Sequence, residues 1–381
     1  MIARTLKLPQ EHSYFLFGPR QVGKTYLIKT STQPDLFVDL LSHDNFLRYG
    51  QNPGILQKEV QALRKVQPLI AIDEIQRCPE LLNEVQSLME SNARARFILT
   101  GSSARKLKRK GANLLAGRAI TLRLHPFTHE ELGDRFSLDE SLCFGTLPKI
   151  SLEQDKQNKI RLLRSYVETY LKEEIQQEAL TRNIASFARF LDLAAFENGN
   201  VINFSNLSRE VGVDAKTIRG YFQILEDTLL GFFVDSYARS IRSKLVKHPK
   251  FFFFDRGVVS ALQKTLSQEL IPGSPPYGKA FEHWLILETR RILDYREREY
   301  SLFFFRTSDG AEVDLILNIG KEIWAIEIKS GASPRASELS GLRSFSGDHK
   351  PNRNLCVCQT PRRYSENGID FLHWQEFIKE I

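Results

Sequence analysis

At 381 residues the chain exceeds the roughly 150 residues of one ordinary domain, so two or three domains are expected. Hydrophobic residues make up 42% and charged residues 26%, with 22 glycines and 15 prolines, which excludes a collagen-like or wholly disordered chain. The net charge of +7 permits a polyanionic partner without requiring one, and four scattered cysteines exclude a disulfide framework. No stretch approaches the roughly 18 apolar residues of a membrane span, and Met1 to His12 holds no apolar signal core; a cytoplasmic protein with no membrane association is expected.

The first third alternates short apolar runs (Tyr14–Phe17, Leu36–Leu40, Leu69–Ile72, Phe97–Thr100, Ile120–Leu124) with amphipathic segments, the pattern of βα units around a parallel sheet. Between the first run and the apolar start of a helix at Tyr26 stands Gly18-Pro19-Arg20-Gln21-Val22-Gly23-Lys24-Thr25, which fits GxxxxGK[ST] in its proper strand–loop–helix context. Glycines let backbone N–H groups wrap a phosphate, Lys24 reaches the β- and γ-phosphates, and Thr25 can hold Mg²⁺. The third run ends in Asp73-Glu74, where Asp73 would bind Mg²⁺ and Glu74 would orient or deprotonate the attacking water. The rival reading has this acidic pair merely closing a buried strand. The fourth run ends in Thr100-Gly101-Ser102-Ser103, where a hydroxyl can sense the γ-phosphate or simply form a turn.

These motifs, with Leu115-Ala116-Gly117-Arg118 and Leu124-His125-Pro126-Phe127, resemble a widespread group of prokaryotic AAA-type ATPases whose C-terminal region is related to restriction-endonuclease-like folds. The resemblance spans essentially the whole chain. It implies ATP binding and hydrolysis in a homo-oligomer, with Arg118 contacting the γ-phosphate of its own or a neighbouring subunit. A guanidinium suits that role because it stays charged and offers a planar fork of donors, although Arg118 also fits a basic face.

Two basic tracts point to DNA. One runs from Arg94 to Arg123 without an acid and includes Arg105-Lys106-Leu107-Lys108-Arg109-Lys110; the other comprises Arg239, Arg242, Lys244, Lys247 and Lys250. Each alone is most simply a solvated surface. The second follows a compact module in which Ser205 begins a short helix, Gly212 turns the chain, and Asp214 caps a helix with Ile218, Tyr221, Phe222 and Leu225 on its apolar side. This is winged-helix spacing, with Lys216, Thr217 and Arg219 set to face a groove and Leu230–Tyr237 as a wing strand. Such modules also serve purely to pack domains together.

The last segment predicts a hairpin, Glu312–Leu317 and Glu322–Lys329 joined across Asn318-Ile319-Gly320-Lys321. If Leu317 pairs with Glu322, Asp314 lies diagonal to Glu327, within about 7–8 Å at Cα. Asp314, Glu327 and Lys329 would then form a PD-(D/E)xK-like nuclease site: two carboxylates on Mg²⁺ and a lysine beside the attacking water. Glu282, on the helix Phe281–Leu293, is a further metal ligand in this reading. Val313 departs from the motif by replacing its proline, and the rival reading leaves the three residues paired with one another. Cys356 and Cys358 read as buried strand thiols, and Pro126 separates His125 from His129, so neither pair is assigned a metal.

The expected fold class is α/β: an AAA-type P-loop ATPase domain (1–137), a helical linker with a winged helix-turn-helix (138–250), and a restriction-endonuclease-like domain (251–381). The function expected is ATP-dependent DNA processing with Mg²⁺-dependent cleavage. Alternatives are an ATP/ADP signalling switch or a DNA-remodelling ring motor with an inactive nuclease-like domain.

Overall fold

A computed structural model describes residues 2–91, 94–102, 115, 117–171, 184–238, 248–307 and 309–381. Residues 1–127 with 227–230 form one compact unit, and residues 128–226 with 231–381 form a second.

In the first unit the five apolar runs become strands β1 (Ser13–Phe17), β2 (Leu36–Asp39), β3 (Leu69–Asp73), β4 (Arg96–Gly101) and β5 (Ala119–Arg123). They form one all-parallel sheet in the order β2-β3-β4-β1-β5. The central strands are apolar almost without interruption because both faces are covered; Phe15, Ile70, Ile72, Phe97 and Leu99 are fully buried. In this order β4 lies between β1 and β3, so the loops leaving β1 and β3 open on either side of the end of β4. Helix α1 (Lys24–Ser31) follows the loop after β1, and α2 (Leu81–Ser91) packs Leu81, Leu82, Val85 and Leu88 into the core.

The second unit is a mixed eight-stranded sheet. Its strands are β6 (Gly231–Ser236), β7 (Lys250–Phe253), β8 (Tyr300–Arg306), β9 (Glu312–Ile319), β10 (Glu322–Ile328), β11 (Arg353–Cys358), β12 (Tyr364–Glu366) and β13 (Ile369–His373), in the order β12-β13-β11-β10-β9-β8-β6-β7. Helices α3 (Ile184–Phe196), α4 (Phe204–Val211) and α5 (Ala215–Asp227) precede it in sequence. Helix α6 (Pro275–Tyr295) supplies Phe281, Trp284 and Leu285 to the core on one sheet face. On the other face, α7 (Ser340–His349) packs Leu342 and Phe345 against Val313 and Ala325. The C-terminal α8 (Trp374–Glu380) returns Trp374 against Trp284, with ring centroids 4.8 Å apart.

The strand expected as a wing pairs within the large sheet. β6 pairs with β8 and β7 pairs with β6, so that strand joins the sheet that carries the hairpin. The hairpin register differs from the one expected. β9 and β10 turn through two residues, with Gly320 at φ 57° in the first, and Leu317 pairs with Trp324 rather than Glu322. A two-residue slip preserves the faces, whereas a one-residue slip would invert them. The last ladder pair, Ile326 with Leu315, leaves Glu327 next to Asp314 directly instead of diagonally.

Candidate functional site

The loop after β1 is shaped by two glycines with different tasks. Gly23 takes φ 94°, a left-handed conformation that costs glycine little. Gly18 is required by proximity, since a Cβ there would lie 2.3 Å from the Leu124 carbonyl oxygen. The loop brings Lys24 inward, where it is 5% exposed; its Nζ donates to the carbonyl oxygens of Gly18 at 2.8 Å and Pro19 at 3.2 Å. Pro19 and Val22 are buried, Arg20 is partly buried and Gln21 is exposed. The Thr25 hydroxyl donates to Asp73 Oδ2 at 2.6 Å, joining the loop after β1 to the end of β3.

The residue after β3 does unusual work. Glu74 lies in the left-handed region, φ 60° and ψ 48°, which strains a non-glycine backbone and is seen where surrounding structure holds a functional group in place. Its Oε1 sits 3.9 Å from Lys24 Nζ. Thr100, from β4, donates through its hydroxyl to Asp73 Oδ1 and accepts the Glu74 N–H at 3.0 Å, so it braces both acids. Gln76 donates to Glu74 Oε2 and, at 3.1 Å, to Ser102. Burial pushes the Asp73 carboxyl above its ordinary range against the opposing hydrogen bonds from Thr100 and Thr25. A buried, desolvated acid bonded to two threonine hydroxyls is a site in which a divalent cation lowers the cost of ionisation.

A second cluster gathers in the other unit from β7, α6, β9 and β10. Lys329 Nζ donates to Glu327 Oε1 at 2.7 Å, and Asp314 Oδ2 accepts the Ile328 N–H at 2.8 Å. Lys250 Nζ lies 2.6 Å from Glu312 Oε1 and 3.4 Å from Glu282 Oε1. Burial, opposed by Lys250, raises Glu282 to about 7; burial and the nearby Asp314 charge raise Glu327 to about 8. Asp314 is likewise raised by burial. Glu327 Oε2 is buried without a hydrogen-bond partner among the described residues.

Residues 10–133 match the family model described as "AAA domain". The chain therefore carries an AAA domain. Residues 135–269 match "Domain of unknown function (DUF8612)", and residues 277–377 match "Domain of unknown function (DUF4143)". An uncharacterized protein of Mycobacterium tuberculosis is 25% identical over 325 residues, covering 84% of this chain and 71% of its own. Another, of Methanocaldococcus jannaschii, is 23% identical over 395 residues, covering 96% and 85%. Among solved structures, a DNA polymerase III gamma subunit-related protein of Thermotoga maritima aligns with 57% of this chain and 94% of its own at 13% identity and a TM-score of 0.26. Domain III of the replication initiation protein DnaA from Thermotoga maritima aligns with 57% and 85% at 12% identity and a TM-score of 0.20. The AAA family implies a nucleotide, usually with Mg²⁺, and ATPase activity. No described helix is long and apolar enough to cross a membrane.

The AAA domain thus brings together Lys24, Thr25, Asp73, Glu74 and Thr100. Arg118 instead donates to Glu90 of α2 at 3.0 Å on the exposed surface. In the second cluster Asp314, Glu327 and Lys329 meet, but Glu282 is drawn to Lys250; among the described residues no three acids converge as metal ligands. Lys250 itself corrects the reading of the second basic tract, because it is 3% exposed among carboxylates and unavailable to DNA phosphates. The rest of that tract, Arg239 to Lys247, lies outside the described residues, as do Ser103, Ala116 and the Arg105–Lys110 run. In the helical module Asn203 and Gly212 (φ 78°) bound α4, and Asp214 accepts the Thr217 N–H at 2.8 Å and its hydroxyl at 2.9 Å. Thr217 is therefore committed to capping, Arg219 lies over the Phe204 ring, and Lys216 remains exposed. Sequence reasoning missed Gln76, Lys250 and Glu312. Glu312, two residues before Asp314 on one strand, carried a readable signal; Lys250 carried none beyond its charge. The His129 ring, given no metal, bonds Glu288 at 2.8 Å, and Cys356 and Cys358 are buried and free.

Proposed function

We propose that this protein is an Mg²⁺-dependent ATPase whose nucleotide state governs engagement of DNA, and whose C-terminal region cleaves DNA with Mg²⁺. The observation that carries the ATPase reading is the contact of Thr25 with Asp73 beside the Lys24–Glu74 pair. On binding, Lys24 exchanges the Gly18 and Pro19 carbonyls for the β- and γ-phosphates, and the loop N–H groups take the remaining phosphate oxygens. Thr25 and Asp73 would hold a magnesium ion, which would supply charge compensation at the phosphate oxygens. Glu74 accepts a proton from the attacking water, and Thr100 keeps both acids in place.

The DNA reading draws on the capped helix pair α4–α5, with Lys216 exposed on its second helix, and on the basic tracts. Cleavage draws on the second cluster, in which Asp314 and Glu327 would hold the ion and Lys329 would serve as a charge-bearing donor to the attacking water. Arg118, exposed beside Glu90, is positioned in this reading to act on a neighbouring subunit of a homo-oligomer. ATP turnover with and without duplex, single-stranded and branched DNA, over a range of salt, is the deciding assay; turnover indifferent to every DNA form defeats the coupling. One observation favours a signalling switch instead: Glu74 is already held by Gln76, an arrangement that suits slow hydrolysis. Gln76→Ala separates the two, since a restrained general base would be released and turnover would rise.

A further inference from the structure

The feature that the proposed chemistry leaves unused is Lys250. It is buried, fixed by backbone pairing to Val234 on one side and Val201 on the other, and its ammonium lies 5.3 Å from the centroid of the Phe304 ring. Glu282 and Glu312 pair with it and the Asp314 charge acts on it, while Glu327, beside Asp314, pairs with Lys329, so the cluster counts four carboxylates and two ammonium groups. With every group ionised, four negative and two positive charges leave a net charge of two negative. Arg306 reaches Glu312 only from the solvent side, at 3.7 Å and half exposed, where water screens it. One divalent cation balances this cluster, whereas two would leave a buried excess of positive charge, a costly state in a desolvated site. Glu327 Oε2, buried without a hydrogen-bond partner among the described residues, is the atom that such a cation would engage.

We propose that Lys250 is a built-in second cation, so that the cluster takes a single divalent ion between Asp314 and Glu327 and uses the Lys250 ammonium where a two-ion site would place its other metal. This rests on the reading that Asp314 and Glu327 hold an ion. Two carboxylates with water completing the shell are a sufficient ligand set for Mg²⁺. Glu282 and Glu312 are then the partners of Lys250 and not ligands. Replacing Lys250 by a neutral side chain removes the fixed charge and frees the place of its ammonium, between Glu282 and Glu312, for a second ion.

The test is Mn²⁺ binding to the full chain without nucleotide, in an Asp73→Asn background that silences the AAA site, followed by electron paramagnetic resonance. The parent should bind one Mn²⁺, lost in Asp314→Asn. Adding Lys250→Gln should raise the stoichiometry to two, with spin coupling between ions roughly 4 Å apart. A stoichiometry of one in both overturns the role of Lys250 while leaving the ion site intact. Two in the parent overturns it as well. None in either variant defeats the ion reading itself. If Lys250→Gln fails to fold in chelator, Mn²⁺ should restore its cooperative melting. The double variant Lys250→Gln/Glu312→Gln, which removes one charge of each sign, should fold without metal and return to one ion; two ions bound there overturn the charge argument.

Discussion

The two acidic sites of this molecule are built in opposite ways. In the AAA domain, one loop and the ends of two parallel strands suffice: Lys24 and Thr25 are neighbours in sequence, and Asp73 and Thr100 are brought beside them by the strand order β3-β4-β1. The second cluster draws on four elements between residues 250 and 329, and its lysines compensate charge that no local motif announces. A site of the first kind survives much change elsewhere in the chain. The second is hostage to the packing of β7 and α6, so the two should fail separately.

The sharpest break in the comparison is Lys24→Ala, which should lower ATP turnover by about 10³-fold, since it removes a fixed cation proposed to meet the transferred phosphate. Melting of the second unit should not change. If turnover persists, the AAA site does not work as described.

Next in size is Trp284→Ala. This indole, on the same helix as Glu282, is 1% exposed and packs edge-on against Trp374. Its loss should cost about 3–5 kcal/mol in the unfolding of the second unit, measured in urea, while nucleotide binding is retained. Parallel loss of nucleotide binding would show that the units are not energetically separable. Smaller again is Lys329→Ala, expected to reduce DNA cleavage by about 10²-fold with ATP turnover unchanged. If cleavage survives this substitution, the lysine serves only to pair with Glu327.

The same contrast explains what was legible from the sequence. All five strands of the AAA domain were readable because a parallel sheet buried on both faces must be continuously apolar, and its phosphate loop follows a fixed local spacing. The grouping of Asp314, Glu327 and Lys329 was readable through strand alternation, which tolerates the two-residue difference in hairpin register. Lys250 was not. Sequence charge says nothing of which side of a strand faces a carboxylate four elements away, so a buried counter-ion was grouped with surface residues. The parallel pairing of β6 with β8 was hidden for a related reason: it spans more than sixty residues and leaves no local trace.

The smallest effect tests the buried polar layer beside the second cluster. His283 is 1% exposed; its Nε2 bonds the Phe253 carbonyl oxygen at 2.7 Å, and its Nδ1 faces the Asn198 amide at 3.2 Å. Burial, aided by the Arg256 and Arg291 charges, holds the imidazole well below its ordinary value. A base depressed in the folded state binds its proton only on unfolding. The unfolded chain therefore takes up a proton near pH 6.5 that the folded chain refuses, and stability falls as pH drops below that value. The slope attributable to this one group is at most about 1.4 kcal/mol per pH unit. Urea unfolding of the parent and of His283→Gln between pH 7.5 and 5.5 should show that slope diminished in the variant. An equal slope in both would assign the acid sensitivity to other groups and leave His283 as a neutral packing element.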